Sequence, residues 1–296
     1  MLASYKNNII GIAVFGYNRP EKLELILSKI LEYKSKSSLK FKVRVFIDGL
    51  KKNEDKTILR KNLLLKKKFK MFEFKILKFN KGLQKSILTG LDKISRDFEY
   101  FLVFEDDILI LSNLDNLIKA VIKKKMLKKY STLSFYCPFG INLRNFFNKL
   151  SLIETYRMQC WGWFTSSKNW KHFRANSSNK LLKKIKKEEY INKIGEDDYK
   201  RLLSTIYHKR DIWACRWIAY NFMIKKPTLI PSISLIKNIG TGDAGTNKTS
   251  SLSKYRESLN KSITYLRFIF IKIFSSEIRK ISKIELEIIT NRRKIF

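Results

Sequence analysis

Three consecutive acidic residues, Glu105, Asp106 and Asp107, are the side chains best suited to chemistry in this sequence. Adjacent carboxylates repel one another, and holding them at the end of a buried strand is costly unless a cation neutralises them. Oxygen ligands without a His or Cys set are typical of Mg²⁺ or Mn²⁺ bound jointly with substrate phosphates. The alternative is a solvated acidic turn that caps the next helix. The apolar run YFLVF before the triplet favours the metal site.

A further acid, Asp211, lies in the segment RDIWACRW. Transfer of a group to a hydroxyl requires a base that accepts the hydroxyl proton, and a carboxylate in an aromatic pocket can serve. Trp213 and Trp217 would supply apolar walls for such a pocket. The alternative is an N-cap aspartate followed by two core tryptophans at i, i+4 spacing.

Two other segments have a composition suited to ligand binding. In Trp161-Gly162-Trp163, the glycine permits a tight backbone that exposes the ring faces, although core packing is the usual explanation of such a cluster. The segment NIGTGDAGTN, which begins at Asn238, is a Gly-rich loop that could close over a diphosphate and exclude water. A plain surface turn is the alternative for this loop.

The elements that must position these residues follow from hydrophobic periodicity. Apolar runs predict strands at 9–15, 41–48, 72–79 and 100–107, and helical spacing of apolar residues predicts helices between them. This alternation favours an open α/β sheet with right-handed crossovers, in which ligands bind at the carboxyl ends of the strands. Arg19, Asp48 and the acidic triplet all lie at the carboxyl ends of predicted strands.

Beyond residue 112 the pattern is less regular. Helical stretches are predicted at 113–129, 179–206 and 210–226, and residues 227–247 read as extended chain that ends in the Gly-rich loop. The last 45 or so residues are basic and contain the apolar run ITYLRFIFIKIF.

Charge is the unusual feature of the composition. The chain has 62 Lys and Arg against 26 Asp and Glu, a formal net charge of +36, which favours polyanionic partners such as nucleic acid, anionic lipid or phosphorylated substrates. A purely compositional excess of positive charge is the alternative, because the lysines are spread throughout the chain.

Three widely spaced cysteines without a CxxC motif are typical of a reducing compartment. No segment approaches the roughly 20 apolar residues that span a bilayer.

With these motifs in order, the sequence resembles the GT-A superfamily of glycosyltransferases. It is most similar to bacterial family 2-like sugar transferases and the related N-acetylglucosaminyltransferase I group. The resemblance covers about residues 9–247 and rests on the following segments: FGYNRPEKL, FIDG, NKGLQKSILTG, VFEDD, CWGWFTSSKNW, DIWACRW and PSISLIKNIGTGDAGTN.

The resemblance implies roles for the residues at the strand ends. Arg19 and Asp48 would hold the nucleotide, with Asp48 accepting a hydrogen bond from the base, which is usually uracil. Asp106 would contact the ribose or the sugar, and Asp107 would bind the metal that bridges the diphosphate. Glu105 would reach the donor sugar or orient its neighbours.

The resemblance also implies roles for the later motifs. The Trp161–Trp163 segment would line the donor and acceptor pocket. Asp211 matches the family's general base, which implies single displacement with inversion at the anomeric carbon. The loop that begins at Asn238 would order over the donor, but the family often has His near the end of this loop, where Asn247 stands here.

These features together predict an α/β fold of the GT-A (Rossmann-like) type, a three-layer α/β/α sandwich with a mostly parallel central sheet. Residues 1–250 would form the glycosyltransferase domain, with a nucleotide-binding half at 1–112 and an acceptor and catalytic half at 113–250. Residues 251–296 would form a basic helical C-terminal extension. We expect it to lie on an anionic membrane or, as the alternative, to pack on the domain as a final helix.

The predicted activity is metal-dependent, inverting transfer of a sugar from a nucleotide sugar, UDP-linked in the expected case, to a hydroxyl of a cell-surface glycan or lipid-linked acceptor. The predicted protein is cytoplasmic and peripheral on the inner face of the plasma membrane. A nucleotidyltransferase acting on sugar phosphates could share the sheet and the acidic motif, but the Gly-rich triphosphate loop usual after its first strand is absent. A nucleic-acid-binding protein is the third class, and no compact module motif supports it.

Overall fold

A computed structural model describes residues 9–137, 151–207 and 212–240, and the backbone of 267–270. Nine helices lie in these ranges: α1 (Pro20–Lys36), α2 (Lys56–Lys68), α3 (Leu83–Asp97), α4 (Asp115–Lys123), α5 (Ser167–Asn176), α6 (Asn179–Leu182), α7 (Lys187–Lys193), α8 (Glu196–Tyr207) and α9 (Trp213–Met223). The strands in the same ranges are β1 (Ile9–Gly16), β2 (Lys40–Ile47), β3 (Glu73–Ile76), β4 (Tyr100–Glu105), β5 (Ile108–Ile110), β6 (Thr132–Ser134), β7 (Ser151–Thr155), β8 (Trp163–Ser166), β9 (Thr228–Pro231), β10 (Ile236–Asn238) and β11 (Arg267–Phe270).

Nine of these strands form one sheet in the order β11-β7-β9-β6-β8-β4-β1-β2-β3. The half made by β4, β1, β2 and β3 is parallel throughout. In the other half, β8 runs antiparallel to both β4 and β6, and β7 runs antiparallel to both β9 and β11. Since β6 and β9 are parallel to each other, β7 and β8 alone oppose the common direction of this sheet.

Each face of the sheet buries its own hydrophobic core, because successive side chains of a strand point to opposite faces. In β1, Ile12 and Val14 pack into the core beneath α1 and α4, whereas Ala13 and Phe15 pack into the core beneath α3, α5 and α9. The result is a three-layer α/β/α sandwich, which confirms the predicted α/β fold class with a mostly parallel central sheet.

The first helix begins directly at the edge where β1 ends. Pro20 occupies its first turn, where the missing N–H costs nothing and the fixed φ favours helix. Arg19 is the N-cap residue and makes no capping bond with its side chain, which is therefore free to reach across the strand ends. Lys34 and Lys36 lie in the last turn, where positive charge complements the helix dipole.

Beyond β4, the structure departs from the predicted elements in two places. The aromatic segment that begins at Trp163 forms β8 and then α5, although no element was predicted there. Residues 267–270 form a strand at the sheet edge, where the sequence predicts a helix; β-branched and aromatic residues favour strand, and pairing with β7 supplies the backbone partners. The remainder of the predicted extension at 251–296 lies outside the described residues.

No helix in the described ranges is both long and apolar enough to cross a bilayer.

Asp115 fixes the position of α4 against the turn between α1 and β2. Its carboxylate accepts hydrogen bonds from the Tyr33 hydroxyl at 2.7 Å, the Ser37 hydroxyl at 2.7 Å, and the amide and hydroxyl of Ser38 at 2.6 and 2.7 Å. Burial raises the pKa of Asp115, but these donors outweigh burial and the net pKa is lowered. A buried carboxylate with this many donors is a strong local constraint.

We expect Asp115→Ala to lower the free energy of unfolding by about 3 kcal/mol, because it leaves several buried donors without an acceptor. Urea unfolding followed by circular dichroism measures the change. The matched control is Asp55→Ala, which removes an exposed N-cap side chain of α2 and should cost about 1 kcal/mol. Equal losses in the two variants would show that the Asp115 cluster contributes no more than a surface cap.

Candidate active site

The carboxyl ends of β1 and β4 bring Arg19 together with two of the three predicted acids. The parallel register pairs Phe15 with Glu105, so the residues after each strand emerge at the same edge of the sheet. From there the Arg19 guanidinium forms an ion pair with Asp106 and a second, at 3.2 Å, with Asp107 Oδ2. The backbone amide of Tyr17 also donates to Asp106. Sequence proximity alone would not have placed Arg19 on this pair.

The acids of this cluster carry more negative charge than Arg19 balances. Burial raises the pKa of Glu105 to about 8, with further contributions from the neighbouring charges of Asp107 and Asp106. Burial also raises the pKa of Asp106 to about 6, although Arg19 acts in the opposite direction. Full ionisation of the three acids beside one guanidinium would leave two negative charges in excess, which one divalent cation would balance.

The start of the Gly-rich loop packs directly on Asp107. Strand β10 pairs with β5 so that Asn238 lies opposite Ile108, and the amide of Ile239 donates to the Asp107 carbonyl at 2.8 Å. Next in the chain, the amide of Gly240 donates to Asn238 Oδ1 at 2.7 Å. A Cβ atom at Gly240 would overlap the Asp107 carboxylate, so glycine is required for this close approach. The loop beyond Gly240 lies outside the described residues.

Asp48, at the end of β2, is buried and held by the loop that follows β3. Its Oδ1 accepts hydrogen bonds from the amides of Gly49 and Lys81, both at 2.9 Å. Among the described residues no hydrogen bond reaches Oδ2. The loop is fixed in turn by Asn80, whose amide side chain donates to the Gly49 carbonyl at 2.8 Å. The NKG turn after the third strand was the sequence signal for this support, but Lys81 was not predicted as a partner of Asp48.

The three residues of the WGW motif have different positions. Gly162 has a φ of +66°, and a Cβ there would collide with Ile236. Trp161 is half-buried, and its ring packs edge-on against Tyr136 with centroids 4.7 Å apart. Trp163 is fully buried in the core beneath α5 and α9, where it stacks on Trp213 with centroids 5.7 Å apart. Trp163 therefore has no surface for a ligand in this structure, and its observed contacts are packing contacts.

Asp211, the predicted general base, lies outside the described residues, but the helices on either side of it are described. Asp198 of α8 is a buried acid that the sequence analysis missed, and it accepts a hydrogen bond from the Tyr190 hydroxyl at 2.6 Å. Its other oxygen accepts from the Cys215 thiol of α9 at 3.7 Å. The amide of Ile212 also donates to the Thr205 hydroxyl at 3.4 Å. Thus the start of α9 is attached to α8 at the residue that follows Asp211.

Asp107 is the carboxylate best placed for a divalent cation. Its side chain is 15% exposed, whereas that of Asp106 is 3% exposed and occupied by Arg19. Within the described residues no group of three His, Cys, Asp or Glu side chains is arranged to hold a metal ion. Mg²⁺ and Mn²⁺ are commonly held by one or two carboxylates together with substrate phosphates, and the excess negative charge around Asp107 fits that mode.

Comparison with known proteins gives similarity to solved structures only. No family model matches the chain, and no curated protein matches it. The mannosyltransferase PcManGT from Pyrobaculum calidifontis, in complex with GDP-Man and Mn²⁺, matches with 14% identity and a TM-score of 0.36 over 61% of this chain and 47% of its own. S. aureus TarS (residues 1–349), in complex with UDP-GlcNAc, matches with 20% identity and a TM-score of 0.31 over 42% of this chain and 33% of its own.

The galactosyltransferase LgtC, in complex with donor and acceptor sugar analogues, matches with 8% identity and a TM-score of 0.39 over 92% of this chain and 100% of its own. The chain thus spans about half the length of the mannosyltransferase and a third of the TarS structure. With TM-scores below 0.5, the functional conclusion rests on the side chains of this chain.

The raised pKa of Glu105 predicts how the stability of the metal-free protein depends on pH. The folded chain retains a proton at Glu105 up to about pH 8, whereas an ordinary glutamate loses it near 4.5. Stability from this group is therefore fully present below pH 4.5 and is lost as pH rises toward 8. Glu105→Gln removes the titration, so we expect it to gain about 2 kcal/mol relative to the native chain between pH 5.5 and 8.5.

Urea unfolding at the two pH values, in the presence of EDTA, measures this gain. The matched control is Glu188→Gln on the exposed side of α7, which makes the same substitution away from the acidic cluster. If Glu105→Gln and the control behave alike, Glu105 titrates as an ordinary surface carboxyl.

Proposed function

We propose that this protein is a metal-dependent glycosyltransferase that moves a sugar from a nucleoside diphosphate sugar, UDP-linked in the expected case, to a hydroxyl of a cell-surface glycan. One arrangement carries the proposal. Arg19 bridges Asp106 and Asp107 at the carboxyl ends of two parallel strands, and Gly240 packs on the same Asp107 carboxylate. This edge is where open α/β sheets bind nucleotides.

The nucleotide would lie across the ends of β1, β2 and β4. Asp48 Oδ2 would accept a hydrogen bond from the base, because Oδ1 is already engaged by two amides. Arg19 would contact the nucleotide from the other side of the strand ends. Asp106 would hold the ribose or the sugar, and Glu105 would reach the donor sugar or orient its neighbours. Trp161 has partly exposed ring surface for a sugar face.

Asp107 would hold the Mn²⁺ or Mg²⁺ ion through its carboxylate, together with the donor phosphates. When bound, such a cation offsets the negative charge that develops on the departing nucleoside diphosphate. Gly240 would let the loop backbone approach the diphosphate as closely as it approaches Asp107, and Asn238 orients the Gly240 amide. Closure of the loop would exclude water, which would otherwise compete with the acceptor.

Asp211 would act as the general base. The acceptor oxygen attacks the anomeric carbon, the bond from that carbon to the diphosphate oxygen breaks, and the acceptor proton passes to the Asp211 carboxylate. One displacement of this kind inverts the anomeric configuration. The attachment of α9 to α8 through Asp198 and Cys215 supports this role, because it fixes the helix that begins just after Asp211.

A panel of nucleotide sugars with Mn²⁺, scored by thermal shift and by hydrolysis, tests the proposed class and identifies the donor. A glycosyltransferase is stabilised by one nucleoside diphosphate sugar and releases the diphosphate. Stabilisation by a nucleoside triphosphate together with a sugar phosphate, with release of pyrophosphate, would instead establish a nucleotidyltransferase.

We expect Asp107→Ala to abolish the Mn²⁺-dependent part of donor binding, because it removes the carboxylate that would hold the cation. Isothermal titration with the nucleoside diphosphate, in Mn²⁺ and in EDTA, measures the difference. Glu188→Ala, which removes an exposed acid from α7, is the matched control and should bind as the native chain does. Unchanged Mn²⁺ dependence in Asp107→Ala would refute the metal role.

We expect Asp211→Asn to leave donor binding unchanged and to lower turnover by roughly 10²–10⁴-fold, which is the usual contribution of a general base. Titration calorimetry measures the first quantity, and product release from the identified donor and acceptor measures the second. Asp211→Glu, which retains a carboxylate, should recover part of the rate. Normal turnover in Asp211→Asn would place the base elsewhere.

A further inference from the structure

The outer face of α2 exposes leucines that take no part in either hydrophobic core. Leu59, Leu63 and Leu64 are 39%, 45% and 61% exposed, and Met71, just after the helix, is 56% exposed. Asn62 and Leu65 are the buried residues of this helix. The inner face of the helix therefore packs on the domain through these two residues and not through the exposed leucines. A helix with so much apolar surface turned to water is expected to bury it against a partner.

The helix carries six basic residues, Lys70 follows it as a seventh, and no acidic residue lies between Lys56 and Met71. Two of them form ion pairs with α1: Lys61 with Glu21 and Lys68 with Glu24. The other five are exposed and form no ion pair among the described residues, although Arg60 interacts electrostatically with the nearby Asp55: Lys56, Arg60, Lys66, Lys67 and Lys70. We call these five cations, together with Leu59, Leu63, Leu64 and Met71, the α2 outer face.

This combination determines the chemistry of the partner. A second copy of the chain would bring identical clusters of positive charge together, which is unfavourable. Nucleic acid would satisfy the cations through its phosphates but would leave the leucines without an apolar partner. An anionic bilayer satisfies both, because lysine and arginine contact the headgroups while leucine enters the boundary with the acyl chains.

We propose that the α2 outer face is a docking surface for a bilayer containing anionic lipid. The helix spans 13 residues, about 20 Å, and would lie in the plane of the interface without crossing it. This surface is a different part of the chain from the C-terminal extension at 251–296, for which membrane contact was one of two expectations. It does not depend on the proposed catalytic activity.

Contacts of α2 place its N-terminal end beside the candidate active site. Glu54, just before the helix, accepts hydrogen bonds from the Tyr17 hydroxyl and from the Asn18 side chain. Asn62 donates to the Tyr17 carbonyl at 3.2 Å. Because Tyr17 and Asn18 connect β1 to Arg19, a bilayer on the α2 outer face would lie next to the strand ends that form the site.

The test uses the full chain in flotation with vesicles of phosphatidylcholine and with vesicles containing 30% phosphatidylserine. The double variant Leu63→Ser/Leu64→Ser should lower the partition coefficient on the anionic vesicles by about tenfold or more, because it removes the apolar contacts. Lys66→Glu/Lys67→Glu should lower it at least as much, and the native chain should float poorly on phosphatidylcholine alone.

The controls are matched in residue type and exposure. Leu83→Ser removes an exposed leucine at the start of α3, and Lys186→Glu/Lys187→Glu makes the same change in net charge beside α7. Both should float as the native chain does. Equal effects of the α2 lysines and of the control lysines would show that net charge alone is responsible and would overturn the proposal.

Two further outcomes would also overturn the proposal. If the leucine variant floats as well as the native chain, the surface binds phosphate groups without inserting into the bilayer. Binding to duplex DNA would then be measured for the native chain and for the leucine variant. Equal, salt-dependent binding by both would identify nucleic acid as the partner class. If all variants float like the native chain, a different part of the chain holds the membrane. Circular dichroism spectra and melting curves of each variant show that the fold is retained.

Discussion

The pairing of β1 with β4 places three carboxylates and one guanidinium at a single edge of the sheet, and their charges do not balance. Burial raises the pKa of both Glu105 and Asp106, and the neighbouring carboxylates raise it further, so full ionisation of the metal-free site is unfavourable. A divalent cation on Asp107 would relieve this repulsion. Donor binding, loop position and pH dependence would then all follow from one electrostatic constraint.

The sheet supports this cluster from both sides. Strands β1 and β4 are packed on both faces. One hydrophobic core lies beneath α1 and α4, and the other lies beneath α3, α5 and α9. This packing fixes the positions of the residues that follow the two strands. The required close approaches are made by glycine: Gly240 packs on Asp107, and Gly162 packs on Ile236 in the strand before the loop. The helix that begins just after Asp211 is supported differently, through the hydrogen bond between Asp198 of α8 and Cys215 of α9.

The parallel half of the sheet could be predicted because β1 and β4 are continuous apolar runs, whereas β2 and β3 alternate apolar with charged residues. The same logic placed Arg19, Asp48 and the acidic triplet at one edge. Antiparallel β8 was missed because all four of its residues, Trp163 to Ser166, are buried, which gives no alternation to detect. Asp198 was missed for another reason, since a buried acid in a charged helix looks like a solvent-exposed one until tertiary contacts are known. The strand at 267–270 depends on pairing with β7, more than a hundred residues earlier in the chain.

The distribution of the five tryptophans has an optical consequence. Four of them form one stacked cluster in the core beneath α5 and α9, where little solvent reaches them: Trp163, Trp170, Trp213 and Trp217. Trp161 stands apart, half-buried beside Tyr136 and one residue before Gly162. Indole emission from the cluster will therefore be blue-shifted and constant while the fold is intact. Emission at longer wavelength comes from Trp161, so a change in that part of the spectrum will report on Trp161 alone. Of the five tryptophans, Trp161 is therefore the one whose fluorescence can report on the strands that carry the site.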